Sequence, residues 1–272
     1  MSRYKTIEIS DPRYELGNLR YITVKSENLS GRGDISVYVP PWESLTQLSM
    51  VVLLHGVYGS HWSWANRMGI HLKMNRWISE GKLTPMILVM PSDGLWGDGS
   101  GYVPHKSANY EKWIAENVVD AVLEMIPQVN DKSNLFISGL SMGGFGALRI
   151  GALYNTKFRG ISGLSSLTHL NQMEQFTEEN LSSLRQEKAI DESLIDILLS
   201  HRTVLPQFRF DCGLSDNLLH ENRKLHQQLE GHSIPHIYKE FNGGHNWEYW
   251  GEHILDTLLF FDQIIVNSKQ VQ

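Results

Sequence analysis

Short apolar runs recur along this 272-residue chain at 21–24, 35–39, 51–54, 86–90, 135–137, 160–164, 208–212 and 237–241, and most read as β-strands. From residue 51 onward they alternate with helix-like segments at 64–80, 108–126, 142–154, 217–230 and 247–266. The run Val51-Val52-Leu53-Leu54 has no polar position, the pattern of a strand buried on both faces in a parallel sheet covered by helices. The two earliest runs alternate more and predict an antiparallel edge. The pattern as a whole predicts an α/β fold with a mostly parallel central sheet and helices on both faces. No linker rich in Pro, Gly or Ser divides the chain, and no repeat or low-complexity tract is present, so one domain over 1–272 is expected. Segment 167–205 breaks the alternation with polar, helix-forming sequence that includes Glu174, Glu178, Glu179, Glu187, Asp191 and Glu192. It is expected to be a small inserted helical cap, the alternative being an ordinary solvated helical connection.

Composition narrows the partners. Lys and Arg total 24 against 30 Asp and Glu, a formal net charge of −6, and an acidic chain without basic clusters lacks the footprint that phosphate backbones require. No nucleic-acid partner is expected. The longest apolar runs fall far short of the ~20 residues that cross a bilayer, so no integral membrane association is expected either. A single cysteine, Cys212, leaves no partner for an internal disulfide or a second thiolate for a metal. With no apolar stretch of signal-peptide length before Glu15, a cytoplasmic protein is expected.

The chemistry concentrates around Gly139-Leu140-Ser141-Met142-Gly143, which fits the Gly-x-Ser-x-Gly nucleophile elbow. The pattern alone is weak, but an apolar run enters it and a helical segment leaves it, the strand-turn-helix context that exposes a serine at a strained turn. Small residues at 139 and 143 let neighbouring backbone pass close by, and the helix N-terminus aims free amides at developing negative charge. A serine hydroxyl needs a base, and the base needs an orienting carboxylate, in the chain order Ser, Asp or Glu, His. Of twelve histidines, His245 fits best, in the Gly-rich turn Asn242-Gly243-Gly244-His245 between the last strand and the last helix. Asp211 and Asp216 both stand near the end of the preceding strand; Asp216 is preferred because it follows Gly213 in a loop, where its side chain can bend toward the histidine. His55-Gly56-Val57-Tyr58-Gly59 follows an early strand, so the amides of Val57 and Met142 are the candidate oxyanion donors. Tyr58, Trp62, Trp96, Trp247 and Trp250 are candidate walls of a substrate pocket. No His-Glu-x-x-His or paired-cysteine site appears, so neither a metal nor another cofactor is expected. The loop 93–101 fits neither a dinucleotide nor a calcium template.

On these residues the chain resembles the putative-esterase branch of the α/β-hydrolases, which contains tributyrin-type carboxylesterases, feruloyl and acetyl-xylan esterases, esterase D (S-formylglutathione hydrolase) and mycolyltransferases. The resemblance runs from Ile35-Ser36-Val37-Tyr38-Val39-Pro40-Pro41 through His55-Gly56, Trp62, Met90-Pro91 and the elbow to Gly244-His245-Asn246-Trp247 with Tyr249-Trp250. The family pattern Cys-Gly-x-x-Asp falls on Cys212-Gly213-Leu214-Ser215-Asp216, so the resemblance favours Asp216 over Asp211 and implies a triad of Ser141, Asp216 and His245. It implies a cofactor-independent esterase acting on small-molecule short-chain or aromatic acyl esters, those of carbohydrates included. An acyltransferase using the same triad is the alternative within enzymes, and an inactive binding protein on a hydrolase scaffold the alternative outside them. The acidic segment after Leu167 departs from the family pattern and leaves acyl and alcohol specificity open.

Overall fold

The computed structural model describes residues 2–42 and 45–270. Nine strands among them form one sheet: β1 (Ile7–Ile9), β2 (Leu19–Ser26), β3 (Gly31–Tyr38), β4 (Ser49–Leu54), β5 (Met86–Pro91), β6 (Leu135–Leu140), β7 (Phe158–Leu164), β8 (Gln207–Gly213) and β9 (Ile237–Phe241). The order across the sheet is β1-β2-β3-β5-β4-β6-β7-β8-β9. Pairing is antiparallel from β1 to β5 and parallel from β5 through to β9. The expected antiparallel edge is therefore present, extended by β1, whose three residues are too few to register as a periodic pattern.

The helices are α1 (Ser63–Met68), α2 (Ile70–Ser79), α3 (Tyr110–Lys112), α4 (Val119–Met125), α5 (Met142–Leu153), α6 (Leu194–Ser200), α7 (Leu219–Gly231) and α8 (Trp247–Gln270). The single helix expected over 64–80 is two, because Gly69 takes φ 64° and its N–H caps α1 on the Ala65 carbonyl at 2.9 Å. A π-helical stretch, Trp113–Val118, joins α3 to α4, and the buried Trp113 indole donates to the Ser92 carbonyl at 2.7 Å. Among the described residues no helix is long and apolar enough to cross a membrane.

Alternation along β4 shows why its run carries no polar residue. Val51 and Leu53 face one core with Trp64, Met74, Tyr249 and Phe261, under α1, α2 and α8. Met50, Val52 and Leu54 face the other with Trp113, Phe145, Leu148 and Leu198, under the π stretch, α5 and α6. Both sheet faces are covered, and all six residues of β4 are buried. Segment 167–205 is made of short 3-10 turns, Leu170–Gln175, Leu181–Leu184 and Ala189–Glu192, followed by α6. Leu170, Met173, Leu181 and Leu184 from these turns reach the second core.

The junction of β6 with α5 is the tightest backbone approach near the centre of the sheet. A Cβ at Gly143 would lie 2.5 Å from the His55 carbonyl oxygen and 2.6 Å from that of Leu54, and one at Gly139 would lie 2.3 Å from the Gly143 carbonyl oxygen. All three obstacles are main chain, which cannot swing aside. Gly143→Ala is accordingly expected to destabilise the fold by at least about 2 kcal/mol, read as a lower urea midpoint at unchanged slope. An unchanged midpoint would show that the helix can lift off the strand without cost.

Candidate active site

Ser141 stands in the turn between β6 and α5 with φ 55° and ψ −120°, a backbone conformation that residues bearing a Cβ rarely adopt. Its N–H donates to the Leu164 carbonyl at 2.9 Å, while its own carbonyl accepts from Phe145 at 3.1 Å and Leu167 at 3.3 Å. These bonds tie the strained residue to β7, to the first turn of α5 and to the segment that follows β7.

His245 follows β9 and Asp216 follows β8, and the two loops are clipped together. The Ser215 N–H donates to the Gly243 carbonyl at 2.8 Å and the Leu214 N–H to that of Phe241 at 2.8 Å. A Cβ at Gly213 would meet the Gly243 oxygen at 2.4 Å, so the crossing needs glycine at 213. Gly243 itself takes φ 129°. The clip leaves His245 Nδ1 3.0 and 3.1 Å from the two Asp216 oxygens and Nε2 2.9 Å from Ser141 Oγ. A carboxylate only accepts, so Nδ1 carries the proton and Nε2 is free to accept from the serine hydroxyl. Burial works against charge on Asp216, but the hydrogen bonds from His245 and from the Leu218 amide, which donates at 2.8 Å, outweigh it. Its carboxyl stays below the ordinary value.

Asp211, the other carboxylate weighed from the sequence, lies elsewhere. It is fully buried in β8, 2.9 Å from the Arg209 guanidinium and accepting from the Tyr249 hydroxyl at 2.8 Å. Burial pushes its carboxyl up, with Arg209 opposing the shift. Cys212 beside it is buried and free, its thiol also pushed up by burial.

A cleft of about 430 Å³ opens above Ser141 and His245. Of the candidate wall residues, Tyr58, Trp62, Trp247 and Trp250 line it, together with the candidate oxyanion residue Val57. Trp96 does not. It packs edge-on against His105, with ring centroids 4.7 Å apart, and lines a separate cleft of about 800 Å³ with Arg149 and Arg185. Of residues 94–99 only Trp96 lines that second cleft, and none lines the first. Among the described residues, no backbone or side-chain acceptor is bonded to the amides of Val57 or Met142. Met142 opens α5, where the helix leaves its first amides unpaired. Nor do any three His, Cys, Asp or Glu side chains among the described residues group as metal ligands.

Three contributors went unread in the sequence. His55 is buried, its Nδ1–H donating to the Gly56 carbonyl at 2.7 Å and its Nε2 accepting from the Asp93 amide at 3.1 Å. The ring thereby fixes the Gly56–Val57 peptide plane and the direction of the Val57 N–H. Phe176, from segment 167–205, stacks on the His245 ring, and Arg67 lines the cleft with its guanidinium over Trp247, 5.8 Å from the ring centre. None of the three has a local sequence signal that points to the site, and only the fold brings them there.

The chain is similar to known esterases over most of its length. The putative esterase family matches residues 26–261. The chain belongs to that family. It is 26% identical over 238 residues to an acetyl esterase of Caldicellulosiruptor saccharolyticus, covering 80% of this chain and 84% of the relative. In structure it is similar to a ferulic acid esterase, with TM-score 0.80 and 22% identity over 97% of this chain and all of the other. An S-formylglutathione hydrolase from Staphylococcus aureus follows the same fold, with TM-score 0.76 and 18% identity over 93% of this chain and 98% of that one. The protein is an α/β-hydrolase-fold carboxylic ester hydrolase.

In this esterase the two carboxylates of the β8 region separate by environment. Removing the charge of Asp211 strands the buried Arg209, so Asp211→Asn is expected to cost about 3 kcal/mol of stability in urea unfolding. A loss under about 0.5 kcal/mol, the range of an ordinary surface substitution, would mean that the pair contributes little to the fold.

Proposed function

We propose that this esterase is a serine carboxylesterase acting through an acyl-enzyme on small-molecule short-chain or aromatic acyl esters, those of carbohydrates included. The observation that carries the reading is the unbroken line from Ser141 Oγ through His245 to Asp216, with Nε2 of His245 on the hydroxyl and Nδ1 shared between the two carboxylate oxygens. Nε2 of His245 takes the hydroxyl proton as Oγ attacks the ester carbonyl, while Asp216 holds the ring and offsets its new charge. The amides of Val57 and Met142 receive the negative oxygen of the tetrahedral intermediate, one aimed by His55 and the other by the start of α5. On collapse the alcohol departs with the proton from His245. Water, activated by the same ring, then attacks the acyl-serine, and Oγ recovers its proton as the acid leaves.

Substrate class follows from the cleft and from the relatives. Tyr58, Trp62, Phe176, Trp247 and Trp250 make its wall largely aromatic, and about 430 Å³ suits a small acyl group better than a long chain. The names of an acetyl esterase and a ferulic acid esterase among the relatives fit the short and the aromatic ends of that range. In this reading the chain is one hydrolase domain, and segment 167–205 is its cap, since Phe176 from that segment forms part of the wall. No cofactor enters the scheme, and a cytoplasmic location fits the lone buried thiol of Cys212.

Ser141→Ala is expected to fold with wild-type circular dichroism, to lose at least ~10³-fold in turnover of p-nitrophenyl acetate, and to resist a fluorophosphonate probe that labels the wild type. Labelling of the variant at wild-type rate would move the nucleophile elsewhere. Across nitrophenyl esters, acetate to butyrate are expected to exceed decanoate in kcat/KM. Decanoate ahead of butyrate by more than about tenfold, about 1.4 kcal/mol of discrimination, would overturn the short-acyl assignment.

A further inference from the structure

Resting on the triad reading above, we propose that Phe176 is a positioning residue for His245, and that Asp98 latches the segment carrying Phe176 to the loop that carries Val57. The imidazole is held at both nitrogens, but hydrogen bonds at two points of a ring leave it free to rock about the line joining them. The remaining restraints are aromatic. Trp250 meets the ring edge-on, with centroids 5.0 Å apart and planes at 89°. Phe176 lies over its face at 4.9 Å and 25°. The stacked ring blocks rocking toward the cleft and keeps water off that face, so Nε2 stays aligned with Ser141 Oγ.

Phe176 is itself restrained. It ends the 3-10 turn Leu170–Gln175, donates its N–H to the Met173 carbonyl at 2.9 Å, and is anchored through the buried Leu170 and Met173. Two residues on, the Glu178 N–H donates to Asp98 Oδ2 at 3.3 Å. The same oxygen accepts from the Tyr58 hydroxyl at 3.1 Å, and the Asp98 carbonyl accepts from the Tyr58 N–H at 2.8 Å. Gly97, at φ 49°, passes so close to Glu179 that a Cβ there would meet its carboxylate. One loop therefore joins the Phe176 segment to the residue beside Val57, and the ring that stacks on the base and the amide that faces the oxyanion share a support.

A wall that merely contacts the acyl group and a clamp on the base predict different kinetics. With p-nitrophenyl acetate, whose two-carbon acyl group offers a wall the least surface, Phe176→Ala is expected to lower kcat about three- to tenfold and leave KM within about twofold. Phe176→Tyr is expected to restore kcat, and Phe176→Leu, apolar but without a ring face, to leave it low. Asp98→Ala is expected to show a weaker kcat loss, and Asp98→Asn, which keeps one acceptor oxygen, to recover it. Thermal unfolding of each variant separates these effects from loss of fold. If Phe176→Leu matches the wild type, or Phe176→Ala raises KM at constant kcat, the clamp is overturned; an unchanged Asp98→Ala overturns the latch. The wild type is first tested with the fluorophosphonate: failure to label Ser141 withdraws the triad and the clamp with it, whereas a labelled wild type with indifferent Phe176 variants removes the clamp alone.

Discussion

At φ 55° and ψ −120° the backbone of Ser141 is held where a residue with a Cβ is strained, and much of the structure is what holding it there requires. The turn must pass between β4 and β7, so the main chain of α5 approaches the end of β4 closely enough to exclude a side chain at Gly143. Gly56 is fitted against the other flank, where a Cβ would meet the Ser141 Cβ at 3.3 Å. The strain is offset by the apolar burial of β4, β6 and α5, whose residues are almost all enclosed. The geometry that makes the serine accessible is thus sustained by the most buried part of the molecule.

Two aspartates, one in β8 and one just past it, sit five residues apart in opposite electrostatic surroundings. Asp211 points to the sheet face covered by α8, where Arg209 and Tyr249 meet it and burial disfavours its charge. Asp216, five residues on, lies past the glycine that lets its loop cross under Gly243, and there its charge is favoured by His245 and an amide. Chemistry at neutral pH calls for the second environment, and the crossing of two loops, more than the identity of the side chain, creates it.

Much of this was readable from residue order because it rests on periodicity and on local turns. The doubly buried run of β4, the strand-turn-helix around Ser141 and the Gly-rich turn before α8 each declare themselves within ten residues. Asp216 was separable from Asp211 by its position after Gly213, although the pairing with His245 depends on a loop crossing that no local pattern encodes. Short pieces escaped: β1 is three residues long, and the break at Gly69 looks in sequence like a glycine tolerated within one helix. Contacts between distant segments escaped for a different reason. Phe176 and His245 are 69 positions apart, and Trp96 lines the other cleft because it packs on His105, a pairing that no local pattern shows.

β9 is the outermost strand on its side of the sheet, paired only with β8, and the turn that follows it carries His245. Ser141, the loop 55–59 and Asp216 all precede it in the chain. During vectorial synthesis the upstream strands can pair and the elbow can form while the base is still unmade, since folding proceeds broadly from the N-terminus. A chain clipped before β9 would carry the Ser141 hydroxyl without His245, and would also lack α8 and the sheet face it covers. In the proposed reading, Ser141 therefore meets its base only after the last strand of the sheet and α8 have docked.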